Sequence, residues 1–332
     1  MLHNIGVLVS AILFTYGSFL AGLLAFRFIG LAFADKLKER LFAVITGYGC
    51  FAFAGLLLAG IGAFTPFAVR LLFAFVIFLS FRTVFVHTKL LVSRDWWRGS
   101  FGRARGWFRE NGSLKGTLVL WIFLNLFIVF VPLTGHDTLE YHFPIVENLI
   151  SEGRFTFTGA ISSYPFLPVL GETLYATAML MFGNTAEPYI FQVFQYGMLI
   201  FFPLLFHAFL KERIRHPVLA VASAVGILAL MDFAREAFHG GYVDLFAFLF
   251  GIASVLLVAD TVASGKLRRP EVTLSAILLG FSLGVKYTGF FFGAIDAVLL
   301  AAFLVQNRVR LREAAGMLSS YAGFVLLVAG FW

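Results

Sequence analysis

Residues 41–63 read LFAVITGYGCFAFAGLLLAGIGA and contain no charged side chain. As a helix this stretch would be about 35 Å long at about 1.5 Å per residue, more than the roughly 30 Å hydrocarbon core of a bilayer. It is also longer and more apolar than the buried core helices of soluble domains. It therefore predicts a membrane-spanning helix, and similar apolar stretches recur along the chain.

The composition of the whole chain supports the same prediction. Of its 332 residues, 60% are hydrophobic and 13% are charged, whereas soluble domains average about 25% charged residues. Such a chain has too few polar residues to cover a soluble core, which excludes a soluble enzyme, a disordered tail and a coiled coil. Long unbroken apolar runs rich in Phe argue against a β-barrel. The single cysteine, Cys50, excludes a disulfide framework within the chain.

The apolar runs predict an all-α fold, a polytopic transmembrane helical bundle with about ten spans. Most of the runs are long enough to cross a bilayer alone, and the shorter run 272–285 is expected to cross with help from its neighbours. The predicted spans are 5–33, 41–63, 67–86, 117–134, 186–210, 217–233, 243–262, 272–285, 288–306 and 314–332.

The positions of Lys and Arg predict the orientation of the bundle. All the strongly basic segments face the cytoplasm provided that the stretch from Val169 to Phe182 does not span. This stretch contains Glu172 and would be only about 21 Å long as a helix, so we interpret it as a re-entrant or interfacial helix. The N-terminus and the acidic segment 135–185 then lie outside. The basic segments are 35–40, 82–115, 211–216, 263–271 and 306–313.

Residues 87–115 separate three leading helices, in 1–86, from a membrane core in 116–332. Aromatic and basic residues alternate in this segment, which is typical of a cytoplasmic interfacial segment in the headgroup zone. The net charge of +7 could also indicate nucleic acid. Because these residues lie between membrane spans, we expect membrane lipids and no nucleic acid as partners. The residues are Arg94, Trp96, Trp97, Arg98, Phe101, Arg103, Arg105, Trp107, Phe108 and Arg109.

The acidic segment 135–185 begins with the sequence HDTLEYHFP at 136–144. Pro144 suits the first turn of a helix and Gly153 suits its end, which predicts a short helix over 144–152 with an apolar face on the bilayer surface. Asp137 would then lie just outside a span, where a carboxylate can act as a general base on a hydroxyl or ligate a divalent cation. The alternative is a solvated aspartate that caps a helix.

A second polar cluster follows the predicted span 217–233. Ionisable groups between two apolar runs are costly near hydrocarbon unless they are paired or functional, and the alternative here is a local salt-bridge network around Arg235. Further along the chain, Lys286 is either a snorkelling lysine or an anion ligand. The second cluster consists of Asp232, Arg235, Glu236, His239 and Asp244.

Asp296 lies within a predicted span, near mid-membrane. A proton relay and a structural hydrogen bond to a neighbouring helix would both explain it, and the structural role is favoured because no second charge lies at its depth.

The acidic groups beside Arg and Lys suit a phosphate-bearing substrate bridged by a metal ion. We therefore expect a divalent metal ion, Mg, Mn or Ca, with Asp137 and Asp244 as candidate ligands, and no other cofactor. The sequence lacks the His and Cys spacing of a zinc site and a glycine-rich phosphate loop after a strand.

Three passages, in this order, resemble the membrane glycosyltransferases of the C-type fold. That group includes the protein O-mannosyltransferases, the aminoarabinose transferase of lipid A and the oligosaccharyltransferase catalytic subunit. The resemblance covers about 116–332 and leaves the first three helices unexplained. The passages are HDTLEYHFPIVENLISEGRF at 136–155, AREAFHGGYVDLFAF at 234–248 and LLGFSLGVKYTGF at 278–290.

The resemblance implies roles for individual residues. It makes Asp137 the catalytic base or a metal-associated carboxylate, and it places Asp244 at the acidic position of the family's second outer loop. Lys286 and Tyr287 fall on a lysine-tyrosine pair at the face where the lipid phosphate would lie. The other candidate catalytic residues are Glu140 and His142, and the other candidate substrate-binding or phosphate-binding residues are Arg235, Glu236 and His239.

In this family the donor is a polyprenyl-phosphate-linked sugar, so the resemblance implies a glycosyltransferase of the cell envelope. The acceptor hydroxyl, deprotonated by Asp137, would attack the anomeric carbon with inversion. Arg235, Lys286 or a divalent ion would stabilise the departing phosphate. The expected location is a bacterial plasma membrane, with the active site facing outward.

Two other classes of function stay open. A lipid-linked sugar flippase would need polar groups that continue through the membrane, and of these the sequence offers only Asp296. A non-catalytic scaffold of an envelope-assembly complex would account for the extra leading helices. Because the family usually continues through further helices and often a soluble domain, we also expect the sequence to be truncated at its C-terminus.

Overall fold

The computed structural model describes most of the chain, and every regular element among the described residues is a helix, as predicted. The described residues are 2–93, 95, 97–102, 116, 119, 120, 123, 126, 135–156, 168–183, 189–211, 213, 242–266, 268–309 and 311–330. The α-helices are α1 (Leu2–Ile29), α2 (Lys36–Gly60), α3 (Pro66–Leu79), α4 (Phe81–Val92), α5 (Phe143–Glu152), α6 (Leu170–Phe182), α7 (Tyr189–Leu210), α8 (Asp244–Ala263), α9 (Arg269–Val285), α10 (Gly289–Gln306) and α11 (Leu311–Ala329).

Five helices among the described residues are long and apolar enough to cross a membrane: α1, α2, α7, α8 and α10. A sixth crossing is counted if α3 and α4 form one bent span. The predicted total of about ten spans is therefore not confirmed. Helix α9, with 17 residues, and helix α11 are not among the five, and the predicted spans 117–134 and 217–233 lie largely outside the described residues.

The predicted span 67–86 is not one straight helix. Helix α3 ends before Ser80, whose backbone leaves the helical range at φ −98° and ψ 11°, and α4 departs at an angle of 77°. Arg82, His87 and Lys89 interrupt the apolar pattern of α4, and the helix buries none of its residues. The bend therefore coincides with the point where the sequence changes from apolar to amphipathic.

Helices α1 and α2 approach each other so closely that only glycine fits at two contact points. A Cβ atom on Gly47 would lie 1.7 Å from the carbonyl oxygen of Ser18, and one on Gly22 would lie 1.9 Å from that of Ala43. Small residues allow this backbone contact between membrane helices. The fully buried ring of Tyr48 fills the adjacent core, 5.5 Å from the ring of Phe194 on α7.

The antiparallel order of the helices gives the bundle two chemically different ends. At the first, which we call the basic end, α1, α7 and α8 end and α2 and α9 begin. Here Asp260 accepts hydrogen bonds from Lys38 at 3.2 Å and Arg213 at 2.6 Å, and Lys211 pairs with Asp35. The described parts of the basic segments 35–40, 211–216 and 263–271 therefore meet at one end, as predicted.

The opposite end, which we call the acidic end, contains the start of α8, the end of α9 and the described segment 135–156. The backbone N–H of Phe64, in the loop after α2, donates to the carbonyl of Gly153 at 3.0 Å. A Cβ atom on Gly171 would collide with Val243 and come within 3.3 Å of Val285. These contacts hold the loop after α2, helix α6 and the termini of α8 and α9 together.

Candidate functional site

A π-helical turn, Thr138–His142, carries the first candidate residues and runs directly into α5. Pro144 lies in the first turn of α5, and Gly153 ends the helix at a φ of 64°, so the predicted short helix is confirmed. Its predicted apolar face on the bilayer surface is wrong in part. Val146 and Leu149 are buried in the protein core because α5 contacts α6.

Asp137 lies at the start of the π-helical turn and is half-buried. Its carboxylate makes no capping hydrogen bond to the backbone. Instead its Oδ2 atom accepts a 3.3 Å hydrogen bond from the hydroxyl of Tyr141, one turn further on. The capping alternative therefore does not describe this side chain, and the Asp137 carboxyl group lies close to the surface of the acidic end.

Glu140 is on the exposed side of the same turn. Its Oε2 atom lies 3.0 Å from Nε2 of His136, and both side chains are exposed, at 45% and 85%. An ion pair between such exposed groups is weak. Glu140 is therefore placed at the rim of the acidic end, available to solvent.

His142 points in the other direction, into the protein. Its Nδ1 atom lies 2.5 Å from Oε1 of Glu172, and both side chains are only 3% exposed. The His142 Nε2 and Glu172 Oε2 atoms are buried and make no hydrogen bond within the described structure. Sequence reasoning used Glu172 only as an argument for topology and missed it as a site residue. The available signal was a carboxylate inside an otherwise apolar helix.

A second buried contact joins three elements behind this pair. The amide nitrogen of Gln195 on α7 donates to the hydroxyl of Tyr175 on α6 at 2.8 Å and to the backbone carbonyl of Tyr242, two residues before α8. Tyr175 stacks on Phe191 with ring centroids 3.8 Å apart. Sequence patterns do not predict these contacts, because the contacts depend on how the three elements pack.

Asp244 and Lys286 were separate candidates, and the structure brings them together. The ammonium of Lys286, directly after α9, donates to Oδ1 of Asp244, the first residue of α8, at 2.6 Å. The side chains remain 35% and 29% exposed. Lys286 is thus held by a carboxylate and does not simply snorkel. Its neighbour Tyr287 is half exposed at the same end.

Tyr141 connects these groups electrostatically. Burial raises the pKa of its hydroxyl above the ordinary value, and so do the charge of Asp137 and its hydrogen bond to that residue. The charges of Glu172 and Asp244 raise the same pKa further. Three carboxylates, from the π-helical turn, α6 and α8, therefore lie close enough to act on one phenol. We call Asp137, Tyr141, His142, Glu172, Asp244 and Lys286 the acidic-end cluster.

The other predicted site residues, Arg235, Glu236 and His239, lie outside the described residues, as does Asp232. Within the described ranges, no group of three or more His, Cys, Asp or Glu side chains is arranged to hold a metal ion. Of the two candidate ligands, Asp244 already pairs with the ammonium of Lys286. A divalent cation held by Asp137 and Asp244 therefore stays a prediction.

Asp296 makes the hydrogen bonds to neighbouring helices that its structural interpretation requires. Its Oδ2 atom accepts from Ser254 on α8 at 2.6 Å and from Tyr321 on α11 at 2.7 Å. Ser254 also lies 2.8 Å from the hydroxyl of Ser275 on α9. The fully buried carboxylate thus ties four helices together inside the bundle.

The fold and the cluster define a class: a helical protein with several candidate membrane spans and a partly exposed polar cluster at one end. In comparisons with protein-family models, curated proteins and solved structures, no match to this chain was found. The resemblance to glycosyltransferases of the C-type fold therefore stays a hypothesis, and the function below is argued from the residues.

Proposed function

We propose that this chain is a membrane glycosyltransferase that moves a sugar from a polyprenyl-phosphate donor to an acceptor hydroxyl at the acidic end. The observation that supports it most is the meeting of Asp137, Glu172, Asp244 and Lys286, which are far apart in sequence, at one end of the bundle. A carboxylate and an ammonium at that end are the two groups that such a transfer needs.

In this proposal Asp137 is the general base. Among the described residues no cation lies within ion-pair distance of its carboxylate, so its charge is not already neutralised. The hydrogen bond from Tyr141 orients Oδ2. The carboxylate accepts the proton of the acceptor hydroxyl as the oxygen attacks the anomeric carbon, and the bond from that carbon to the phosphate oxygen breaks with inversion.

Lys286 stabilises the negative charge that develops on the departing phosphate. Asp244 holds the ammonium 2.6 Å away, and the lysine side chain is still 35% exposed and open to a ligand. Tyr287 and Glu140 lie exposed at the same end and line the approach of the substrate. No step of this proposal uses a metal ion. Retention of transfer in the presence of EDTA would agree with it.

His142 and Glu172 act as positioning residues. Both are buried, so they do not touch a substrate that approaches from the surface. Their 2.5 Å contact anchors the π-helical turn to α6, and the turn carries Asp137 four residues before Tyr141. The pair thereby fixes the base relative to α6 and α8.

The decisive experiment replaces Asp137 with Asn and measures sugar transfer from radiolabelled polyprenyl-phosphate sugars in purified membranes. Loss of a general base predicts a fall of about 10²- to 10⁴-fold in rate, with little change in thermal stability. Glu147→Gln, at an exposed position of α5, is the matched control and keeps full activity. Unchanged transfer in Asp137→Asn would contradict the role of Asp137.

The same assay separates this proposal from the two other classes. Translocation of the labelled lipid without transfer would indicate a flippase. Neither translocation nor transfer, with any sugar donor, would favour a scaffold.

A further inference from the structure

A cavity of about 310 Å³ lies at the basic end, far from the acidic-end cluster along the helices. Ligand sites usually begin at about 300 Å³, so the volume suits a small headgroup. The cavity lies where α1 and α8 end and where α2 and α9 begin. Its charged lining residues are Asp35, Lys38, Asp260, Lys266, Arg268 and Glu271.

The lining has three acidic and three basic side chains, but half of them are already paired. Asp260 binds Lys38 and Arg213, and Asp35 binds Lys211. The charged groups left for a ligand are Glu271, Lys266 and Arg268, which carry both signs of charge. A ligand with one anionic and one cationic group can place each charge beside the opposite one, so these groups favour a zwitterion.

Two of these side chains have polar atoms that are available to a ligand. The Oε2 atom of Glu271 is buried and has no hydrogen-bond partner within the described structure. Its other oxygen lies 3.5 Å from Arg268, a loose ion pair. The exposed side chain of Lys266 makes no ion pair with a described carboxylate. A buried acceptor without a donor is costly, and a ligand N–H would satisfy it.

The helix ends around the cavity have the matching polarity. Helices α2 and α9 begin there. Asp35 already caps the N-terminus of α2, whereas α9 has no side-chain cap, and the partial positive charge of its N-terminus favours an anionic group. Helix α8 ends there at Ser264, and its C-terminus favours a cationic group.

We propose that this cavity binds a phosphate ester that carries a primary ammonium, the chemistry of a phosphoethanolamine group. The phosphate lies against Lys266 and Arg268, and the ammonium donates to Oε2 of Glu271. A quaternary ammonium lacks the N–H donor that this oxygen needs, so a phosphocholine group binds more weakly. Two sources share the favoured chemistry: the headgroup of phosphatidylethanolamine and soluble phosphoethanolamine.

The test uses the full chain, purified in detergent, and native mass spectrometry with added phosphatidylethanolamine, phosphatidylcholine or phosphatidylglycerol. Phosphatidylethanolamine is expected to be retained best. Glu271→Gln is expected to lower its retention at least about tenfold, because the ammonium then faces a neutral amide in place of a carboxylate. Lys266→Met is expected to lower retention as well, and it keeps the test valid if the first variant fails to fold.

Matched controls lie at the same end but outside the cavity. At the start of α2, the exposed Lys36 pairs with the half-buried Glu39 at 2.7 Å, and Glu39→Gln and Lys36→Met should bind like the parent chain. If soluble phosphoethanolamine displaces the lipid at comparable concentration, the ligand class stands and its source is soluble. Equal retention of the three lipids, or unchanged retention in both Glu271→Gln and Lys266→Met, would overturn the proposal. None of these outcomes depends on sugar transfer.

Discussion

The two ends of the bundle use charge in different ways. At the basic end, Asp260 is shared by Lys38 and Arg213, and Lys211 binds Asp35. These ion pairs join different helices or their flanking segments. At the acidic end, Asp137 has a tyrosine hydroxyl as its neighbour and no described cation within ion-pair distance.

This difference distinguishes carboxylates that stabilise the bundle from carboxylates that can react with a substrate. Carboxylates that pair with cations across helices are already neutralised and stabilise the arrangement of the bundle. A half-buried carboxylate without such a partner is more costly to maintain and remains available to a substrate. We therefore expect catalysis at the acidic end. We expect stability to depend on the buried His142–Glu172 pair and on the ion pairs between helices.

The largest stability effect should come from the buried pair at the acidic end. Glu172→Ala removes the partner of a 3%-exposed His142 and should lower the free energy of unfolding by about 3 kcal/mol. Thermal unfolding in detergent measures this loss. Glu172→Gln keeps an acceptor for the imidazole and should lose less. Equal losses in both variants would mean that the hydrogen bond contributes little.

At the basic end, Asp260→Ala should have the next largest effect. It removes the carboxylate 3.2 Å from the ammonium of Lys38, whose side chain is only 6% exposed and which also lies 4.3 Å from the ring of Phe209. Because Asp260 itself is 38% exposed, the expected loss is about 2 kcal/mol, smaller than for a fully buried pair. Chemical denaturation compares it with Lys36→Met, which removes the 72%-exposed partner of Glu39. If the two variants are equally stable, the ion pairs of Asp260 do not stabilise the bundle.

A smaller and pH-dependent effect is expected at Asp35, which caps α2 by accepting from the N–H groups of Leu37 and Lys38. Burial opposes ionisation, but the hydrogen bond from Lys211 and those two backbone bonds lower the pKa of Asp35 below its ordinary value. The contribution of the Asp35 charge to the free energy of unfolding is therefore complete above the pKa of the unfolded state, about 3.9. This contribution is lost as the pH falls through the lower pKa of the folded state.

Asp35→Ala should accordingly cost about 1 kcal/mol at neutral pH, with the difference from the parent chain shrinking below about pH 4. Melting temperatures measured from pH 7 downward give the profile. Asp35→Asn retains a capping side chain but not the charge, so it isolates the ionic part. A difference that does not change with pH would assign the effect to capping alone.

The smallest effect is expected at Glu140, whose pair with His136 is exposed. Glu140→Gln should change the free energy of unfolding by less than about 0.5 kcal/mol. If Glu140 only lines the approach to the site, sugar transfer should keep its maximal rate while the apparent KM rises. A fall in rate comparable to that of Asp137→Asn would move the general base to Glu140.

Much of the helical arrangement could be predicted because apolar length and helix-end residues are local signals. Pro144 and Gly153 mark the two ends of α5, and the run around 41–63 lies mostly within the long helix α2. The prediction of one span over 67–86 missed the bend at Ser80, because apolar length does not say where the backbone turns, although polar side chains begin at Arg82, just after the bend.

The sequence predicted individual residues of the candidate site but not the contacts between them. Asp137, Asp244 and Lys286 stand out as polar groups beside apolar runs, and the structure brings Asp244 and Lys286 into direct contact. Glu172 did not stand out as a site residue, because its role depends on a histidine from a different element. Gln195 gave no signal for the same reason.

The sequence alone determined that several stretches are apolar and long enough to cross a membrane, because a chain with 60% hydrophobic and 13% charged residues has too few polar side chains to cover a soluble core. Its pattern of basic segments also determined which described helix termini share an end. Only the tertiary structure decided which charges neutralise one another, since ion pairs such as Lys286 with Asp244 and Lys38 with Asp260 join residues far apart in the chain. Pairing acts over a few ångströms, and those distances are set when the helices pack.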